Sequence, residues 1–439
     1  MKIEHSPELD ALREELKPFS DLMAEKGVFT SESGLSYFSG YSYQYQYDWD
    51  LYFETLLQLY MGWDATYPKN GIKLFLDHQR EDGFIARSVP SNAEHDNEHV
   101  KPFLAQTAML IFDNTEEADW LLENNYFEKL QNYLDYWLIN MDGSDTGLSD
   151  WMSAPHTGMD TQHERAGYWR DRVSKGVDLN CYLVLECEAF AALAHLLEKK
   201  DLADEYSGKA DELKQRIRSM MWDEEDGFFY DLNARVLTAM KEQGVQDHEA
   251  VVFETEPFSR FAPWGSQLNR PWRKWGDATQ RFRKGEPPFI RVKTAAGLMP
   301  LWAGVATQEQ AERLVREHLL NEDEFWSTYP VAVMSRSEPT YAEQAYQMDT
   351  GCSWRGNVWI PVNHMLYHGL KRYGFDEKAT RLAKKTTALV RQSGAREYFS
   401  AETGEGYGLD PFWGWTLLGH FFDFEDSNRS RENLQESAE

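Results

Sequence analysis

Three stretches of the chain place carboxylates beside aromatic rings, each in a predicted loop that precedes a helix. They are "YQYDWDLYF" (45–53), "SDTGLSDWMSAPHTG" (144–158) and "REYFSAETGEGYGLDPFWGWTLLGHFF" (396–422). Hydrolysis of a glycosidic bond needs one protonated carboxyl group for the leaving oxygen and one ionised carboxylate to activate water. Aromatic faces suit the C–H faces of a sugar. Loop carboxylates also cap helices, which is an equal alternative for Asp48 or Asp50.

Other catalytic patterns are missing from the sequence. It contains no Walker loop, HExxH, CxxC or GxSxG motif. Three cysteines, Cys181, Cys187 and Cys352, make an odd number without metal-ligand spacing, which fits a reducing compartment. His95 and His99 stand four apart in "HDNEH", but a solvated polar loop is favoured there over a metal site. No metal and no organic cofactor is expected.

The charge of the chain restricts its partners. A net charge of −28 and a pI near 4.8 argue against nucleic acid and against an anionic membrane surface. The first residues carry no signal-peptide pattern, and no apolar run is long enough to span a membrane. We expect a soluble, cytoplasmic protein that binds a small saccharide. The oligomeric state is not indicated.

Apolar residues recur at helical spacing along most of the chain. The predicted helices are Leu9–Lys26, Asp50–Met61, Gly71–Gln79, Pro102–Phe112, Glu117–Met141, Val177–Lys200, Leu202–Trp222, Arg291–Ala303, Gln308–Leu319, Val358–Tyr373, Glu377–Gln392 and Trp413–Phe422. Trp222–Asn233 reads as a short hairpin around Asp-Gly. A dozen helices without a hinge sequence predict one all-α domain, residues 1–425, built as a closed double ring of helices. The polar residues 426–439 are predicted to be a disordered tail.

Several segments resemble glycoside hydrolase family 63. "SWRGNVWIPVNHMLYHGLKRYG" (353–374) is similar to that family's YWRGPVWININYLLYRGLRRYG, and "REYFSAETGEGYG" to its FxEYYxPxTGEGxG. "YDWDLYFETL" resembles its WxWDxxFxxL. The single-domain length is similar to the bacterial mannosylglycerate and glucosylglycerate hydrolases of the family. The resemblance implies an (α/α)6 barrel, a six-hairpin toroid with long loops over a central pocket and small β-hairpins, and hydrolysis with inversion.

The resemblance also implies catalytic roles. Glu397 matches the family's general base. The general acid lies in an SGxDNSP-like loop of the family, for which we take "TGLSDWMSAP". Strict register puts Ser149 on the acid; because serine is a poor proton donor, a one-residue shift assigns Asp150, with Asp145 as the fallback.

Sugar-binding residues follow from the same resemblance, since "YQYQYDWD" superposes on the family's YNQQWLWD. Asp50 would accept hydrogen bonds from sugar hydroxyls, and Trp49 would form a wall of the site. Core packing is the alternative for each aromatic residue. The implied substrate-binding residues are Tyr43, Tyr47, Trp49, Asp50, Gln106, Trp354, Arg355, Gly356, Trp359 and Trp415.

Substrate and reaction class stay open at this point. A glycerate group would call for an arginine, and Arg87, Arg170, Arg172 and Arg291 are candidates; otherwise a disaccharide or glucosylglycerol fits. A trehalase-like hydrolase is one alternative, and a sugar epimerase or isomerase using His364, His368 or His420 is another. A non-catalytic glycan-binding protein would keep the aromatics without needing Glu397.

Overall fold

Helices make up most of the structure, a computed structural model that describes residues 1–41, 43–91, 97–167, 172–251, 285–343 and 353–427. The α-helices are Pro7–Lys26, Asp48–Tyr60, Thr66–Asp77, Leu104–Thr115, Tyr126–Asp135, Ala154–Thr157, His163–Ala166, Val177–Leu196, Lys200–Met220, Ala234–Gln243, Met299–Trp302, Gln308–Arg313, Ile360–Arg372 and Asp376–Ser393. Residues 422–427 are also helical. Two helices continue as π turns, Tyr136–Asn140 and Leu314–Leu319, and 3₁₀ turns span Asp119–Asn125, His248–Ala250, Ala295–Leu298 and Thr416–His420.

The helices form an inner and an outer layer. Val177–Leu196 buries side chains on nearly every face, as a helix surrounded by neighbours must. Lys200–Met220, which packs against it, buries only one stripe of four residues and presents charged residues to solvent. Ile360–Arg372 and Asp376–Ser393 repeat this pairing of a buried helix with an amphipathic one. The buried helices therefore form the inner layer and the amphipathic helices the outer layer.

Some predicted elements differ from the structure. The predicted helix Glu117–Met141 is broken at Asn124 and Asn125, which both have positive φ, a conformation that asparagine tolerates better than most residues. The predicted start at Arg291 is wrong, because Phe289–Ile290 is a strand and the helical turns begin at Ala295. The helix Ala234–Gln243, capped by the side chain of Asn233, was not predicted.

Short antiparallel strands fix the loops above the helices. They are Val28–Thr30, Ser36–Phe38, Gln46–Tyr47, Ser88–Val89, Ser174–Lys175, Trp222–Asp223, Phe228–Phe229, Asp231–Asn233, Phe289–Ile290, Asn357–Val358, Tyr398–Ser400 and Gly406–Tyr407. The predicted hairpin near Trp222 is present, as Trp222–Asp223 pairs with Phe228–Phe229. Tyr398–Ser400 lies between Asn357–Val358 and Gly406–Tyr407, so it connects the two most specific sequence segments.

The C-terminal helical segment is anchored in the fold. Asp426 is buried and pairs with Lys371 at 2.8 Å, and the Thr380 hydroxyl donates to it at 2.7 Å. Order therefore reaches Asp426, the first residue of the predicted tail; residues 428–439 lie outside the described part. Among the described residues, no helix is long and apolar enough to cross a membrane.

Candidate active site

Asp50 lies in the first turn of the inner helix Asp48–Tyr60. Its side chain is buried, with 4% of the residue exposed. The Tyr41 hydroxyl donates a hydrogen bond to Asp50 Oδ1 at 3.0 Å. Burial, followed by the negative charge of Asp48, raises the pKa of Asp50 to about 7. Asp50 therefore does not face bulk water, and it can exist in either protonation state near neutral pH.

Asp48, next to it, holds a buried ion pair. Lys101 Nζ lies 2.9 Å from each carboxylate oxygen, and Arg87 Nε lies 3.7 Å away. Burial alone would raise the pKa of Asp48, but the two cations outweigh it and the pKa is lowered. Asp48 is thus a charged structural anchor for the start of the helix, and substrate binding by its neighbour Asp50 stays a prediction.

Five aromatic rings, here called the aromatic cluster, pack beside Asp50: Trp49, Trp354, Trp359, Tyr398 and Trp415. Trp354 stacks on Trp359 with centroids 3.6 Å apart, and Trp359 stacks on Tyr398 at 4.7 Å. Trp49 lies 5.7 Å from Trp354 and 6.2 Å from Trp415. All five are buried and pack against one another, and a role as the wall of a sugar site stays a prediction.

Glu397 is attached to one side of this cluster. It immediately precedes Tyr398, and the Trp415 indole N–H donates to its backbone oxygen at 3.4 Å. The Leu409 amide donates to Glu397 Oε2 at 3.0 Å. Gly408, at φ +73°, lies so close to this carboxylate that a Cβ there would collide with it. Backbone and cluster together hold the Glu397 carboxylate in a defined position.

Asp160 lies next to the same cluster, between two residues that contact Trp49 and Trp354. Gly158 packs against the Trp49 ring, and the Thr161 hydroxyl accepts from the Trp354 amide at 2.9 Å. Between these two anchors, Asp160 keeps 29% of its side chain exposed and lies 3.8 Å from Arg87 Nη2. Asp160 and Glu397 are therefore both connected to the aromatic cluster, through different members of it.

Asp150, the predicted acid, lies in a different environment. Its Oδ1 accepts from Lys175 Nζ at 2.7 Å, and its Oδ2 accepts from Arg172 Nη2 at 3.0 Å and from the Gly143 amide at 3.1 Å. Both oxygens of this buried carboxylate are thus occupied by donors, as in a structural ion pair. The fallback Asp145 is exposed and pairs with Lys241.

The remaining predicted binding residues fall into two groups. The rings of Tyr47 and Tyr43 both pack against the ring of Tyr41, with centroid separations of 5.7 and 4.8 Å. Tyr43 is exposed. Gln106 is instead buried, and its amide donates to the backbone oxygens of Pro102 at 2.7 Å and Tyr182 at 3.4 Å. These bonds tie Gln106 to neighbouring helices rather than to the aromatic cluster.

Arg355 and Gly356 follow Trp354 directly in the chain. The buried Arg355 Nε donates to Glu164 Oε1 at 3.1 Å. Gly356 lies against the backbone of Ala342, where a Cβ would be too close. Both residues therefore fix the loop that carries Trp354, and their contact with a substrate stays a prediction.

Each arginine that was a candidate for binding glycerate, and that the structure describes, forms ion pairs with carboxylates of the protein itself. Arg87 pairs with Asp48, Glu98 and Asp160, Arg172 with Asp150, and Arg291 with Asp223 and Glu286. Arg170 lies outside the described residues, as does His95. His99 is buried and bonded to backbone groups of Ile85 and Tyr133, and burial lowers its pKa to about 3. These contacts indicate that His99 is a core histidine rather than a metal ligand.

The family assignment rests on a match along most of the chain. Residues 43–416 match the profile of the mannosylglycerate hydrolase MGH1-like glycoside hydrolase domain. The chain belongs to this family. A curated relative, the mannosylglycerate hydrolase of Thermus thermophilus, is 38% identical over 128 residues, which is 29% of this chain and 28% of the relative. This sequence match thus spans less than a third of the relative's length.

Solved structures confirm the predicted (α/α)6 fold of this family member. The mannosylglycerate hydrolase from Thermus thermophilus, solved in complex with glucose, matches with a TM-score of 0.65 at 21% identity, covering 92% of this chain and 99% of that one. The neutral trehalase of Saccharomyces cerevisiae matches with a TM-score of 0.62 at 17% identity, covering 91% and 76%. At these identities the likeness establishes the fold.

Asp160 is a candidate that the sequence analysis passed over, although a signal for it was present. "TGMDT" (157–161) fits the SGxDN start of the family's acid loop without any shift, with threonine in place of serine and of asparagine. The Thr-Gly pair at 146–147, eleven residues earlier, fits the same start and leads to Ser149 and Asp150. The contacts of Gly158 and Thr161 with the aromatic cluster favour the later alignment.

Proposed function

We propose that this protein is an inverting α-glycosidase that hydrolyses a short α-mannoside or α-glucoside, with Glu397 as general base and Asp160 as general acid. The observation that supports it is that both carboxylates lie next to one aromatic cluster, each beside different members of it. For an inverting enzyme we expect the two carboxyl groups to act on opposite faces of the sugar, about 6.5–9.5 Å apart.

The acid must bring a proton to the glycosidic oxygen, and this requirement favours Asp160 over Asp150. The Asp160 side chain is 29% exposed at the edge of the rings, whereas that of Asp150 is 3% exposed. An O–H on Asp150 would have to replace one of the donors from Lys175, Arg172 or Gly143. Asp160 is more accessible to a ligand than Asp150 is, and its Oδ1 lies 3.8 Å from Arg87 Nη2.

The base needs a fixed carboxylate with one oxygen directed at water. The Leu409 amide donates a hydrogen bond to Glu397 Oε2. Gly408 packs closely against the Glu397 carboxylate and limits the movement of that side chain. The proposed reaction is therefore direct: Glu397 removes a proton from water, the water oxygen bonds to the anomeric carbon, and Asp160 protonates the departing oxygen. Asp50 and Trp49 would hold the sugar hydroxyls and ring face.

Mannosylglycerate is the first substrate to test, because it is the substrate named for the curated relatives of this chain. Glucosylglycerate, glucosylglycerol and trehalose complete the panel, since the trehalase fold also matches. With Arg87, Arg172 and Arg291 engaged by protein carboxylates, we expect glycerate to be bound by other donors. Comparing kcat/KM for mannosylglycerate with that for an α-glycoside that lacks glycerate measures what the glycerate carboxylate contributes.

The acid assignment is tested with glycosyl fluorides, whose leaving group departs without a proton. Asp160→Asn should lower kcat on the natural glycoside by roughly 10²–10⁴-fold but leave hydrolysis of the α-glycosyl fluoride within about tenfold of wild type. Glu397→Gln should lower both rates, because water activation is needed for either substrate.

Asp150→Asn is the matched comparison for this test. It removes the charge that pairs with Lys175 and Arg172, so we expect reduced thermal stability with glycosidase activity retained in the folded fraction. If Asp150→Asn instead shows the pattern of glycoside loss with fluoride rescue, and Asp160→Asn does not, then Asp150 is the acid and the assignment to Asp160 is wrong.

A further inference from the structure

A cluster of two histidines and a glutamate lies beyond Phe53, whose ring contacts both Trp49 and His364. His364 and His368 are one helical turn apart on the inner helix Ile360–Arg372, and Glu425 lies on the helical segment 422–427. One ligand atom from each of the three lies within 4.8 Å of the others. His368 is nine residues beyond Trp359, which places it about 13 Å along the helix from the aromatic cluster.

We propose that His364, His368 and Glu425 bind one divalent ion of the zinc class and thereby join these two helical segments. Two histidines spaced i, i+4 on one helix face are a recurrent zinc-binding arrangement, and a carboxylate is a common third ligand. His368 Nε2 lies 3.1 Å from Glu425 Oε1. Ligands at about 2.0–2.1 Å on one tetrahedral ion lie roughly 3.3 Å apart, so this pair already has the required spacing. The ligand atom of His364, within 4.8 Å of the other two, would move closer when the ion binds.

The surroundings of the cluster support this proposal. The Tyr60 hydroxyl donates to the second oxygen of Glu425 at 3.1 Å, which orients the carboxylate as outer partners of metal ligands do. Phe53 and Phe422 lie edge-on to His364, each with a centroid separation of 6.0 Å, and provide a dry wall. His368 keeps 14% of its side chain exposed, which leaves a route for an ion.

The pair of histidines is also a departure from the family segment quoted above. In the alignment of "WIPVNHMLYHGLKRYG" with WININYLLYRGLRRYG, His364 replaces tyrosine and His368 replaces arginine. An arginine at 368 could pair with Glu425 but could not bind a metal ion. The proposed site therefore belongs to this chain rather than to the barrel in general, and it is independent of the proposed hydrolysis.

Direct metal binding tests the proposal on the full-length chain, prepared without an affinity tag and stripped with a chelator. Titration with ZnCl₂ in a calorimeter should give one equivalent per chain, and Zn²⁺ should raise Tm by a few degrees. Co²⁺ in place of Zn²⁺ should give visible absorption bands of a tetrahedral site with nitrogen and oxygen ligands.

Two variants and a control decide whether the named residues are the ligands. His364→Tyr combined with His368→Arg restores the family residues and should fold, as judged by circular dichroism, without binding Zn²⁺. His368→Gln keeps a hydrogen-bonding side chain at Glu425 and should weaken Zn²⁺ binding at least tenfold. His195→Ala, at an exposed histidine, should bind as wild type does. No binding by wild type, or equal binding by the double variant, overturns the proposal.

Discussion

Asp50 is restrained by the fold at the position proposed to bind the sugar. Its carboxyl group is buried next to the charged Asp48, and burial also raises the pKa of Glu54, one turn further along the helix, well above its usual value. Sugar hydroxyls would give Asp50 the hydrogen bonds that water cannot supply in this site. Substrate binding and pH should therefore be linked through this residue.

Removal of the Asp50 charge should change how stability depends on pH. With a pKa of about 7 in the folded protein and a reference value of 3.8, Asp50 holds a proton in the folded state that the unfolded chain releases. Folding stability is therefore lost as pH rises from about 4 to 7. The free energy of unfolding, measured in urea at pH 5 and at pH 8, should differ between the two pH values by a contribution from Asp50 on the order of 1–4 kcal/mol. Asp50→Asn should abolish this contribution. An unchanged difference between the two pH values would contradict a buried, proton-binding Asp50.

The two acid candidates show where residue-level prediction from sequence ends. Asp150 and Asp160 both follow a Thr-Gly pair and both stand near aromatic residues in the sequence. Lys175 and Arg172, which pair with Asp150, are more than twenty positions away, so their effect could not be seen in the local pattern. By contrast, the environment of Glu397 was predictable, because its neighbours in the motif are also its neighbours in space.

At the scale of elements, the loop between strands Tyr398–Ser400 and Gly406–Tyr407 and the residues after it position the base. Gly408→Ala should displace the Glu397 carboxylate, because the added Cβ meets it and φ is +73°. We expect kcat to fall by about 10²-fold or more, since small displacements of catalytic groups are costly. Gly394→Ala is the matched control, with φ +79° and open space around its Cβ.

Both glycine variants should lose a similar, modest amount of stability from strained backbone, roughly 1 kcal/mol. Only Gly408→Ala should lose activity out of proportion to its folded fraction. Equal kcat values for the two variants would contradict the role assigned to the contact between Gly408 and Glu397.

Helices that carry a continuous apolar stripe were predictable, and those that depend on backbone detail were not. Lys200–Met220 and Asp376–Ser393 lie within two residues of their predicted bounds, because each has one buried and one charged face. The break at Asn124 and Asn125 leaves the apolar spacing of Glu117–Met141 intact, so the pattern gave no sign of it. The start at Ala295 follows a strand whose partner, Asp231–Asn233, lies far away in the sequence.

For the whole molecule, closure of the helical ring is what brings the proposed catalytic groups together. Asp50, Asp160 and Glu397 come from three widely separated parts of the chain, and neighbouring motifs alone could not indicate their arrangement. The fold was predicted from segments spread over the same length, which is why the barrel was foreseen while the sequence left two positions open for the acid. The central claim therefore concerns the chemistry of the assembled pocket.

The most direct test of that claim is proton NMR of the sugar released by the wild-type chain from mannosylglycerate and the related α-glycosides. Direct displacement by water activated at Glu397 predicts that the β anomer is formed first, with the α anomer appearing later through mutarotation. Initial release of the α anomer, or no hydrolysis of any α-glycoside in the panel, would contradict the account.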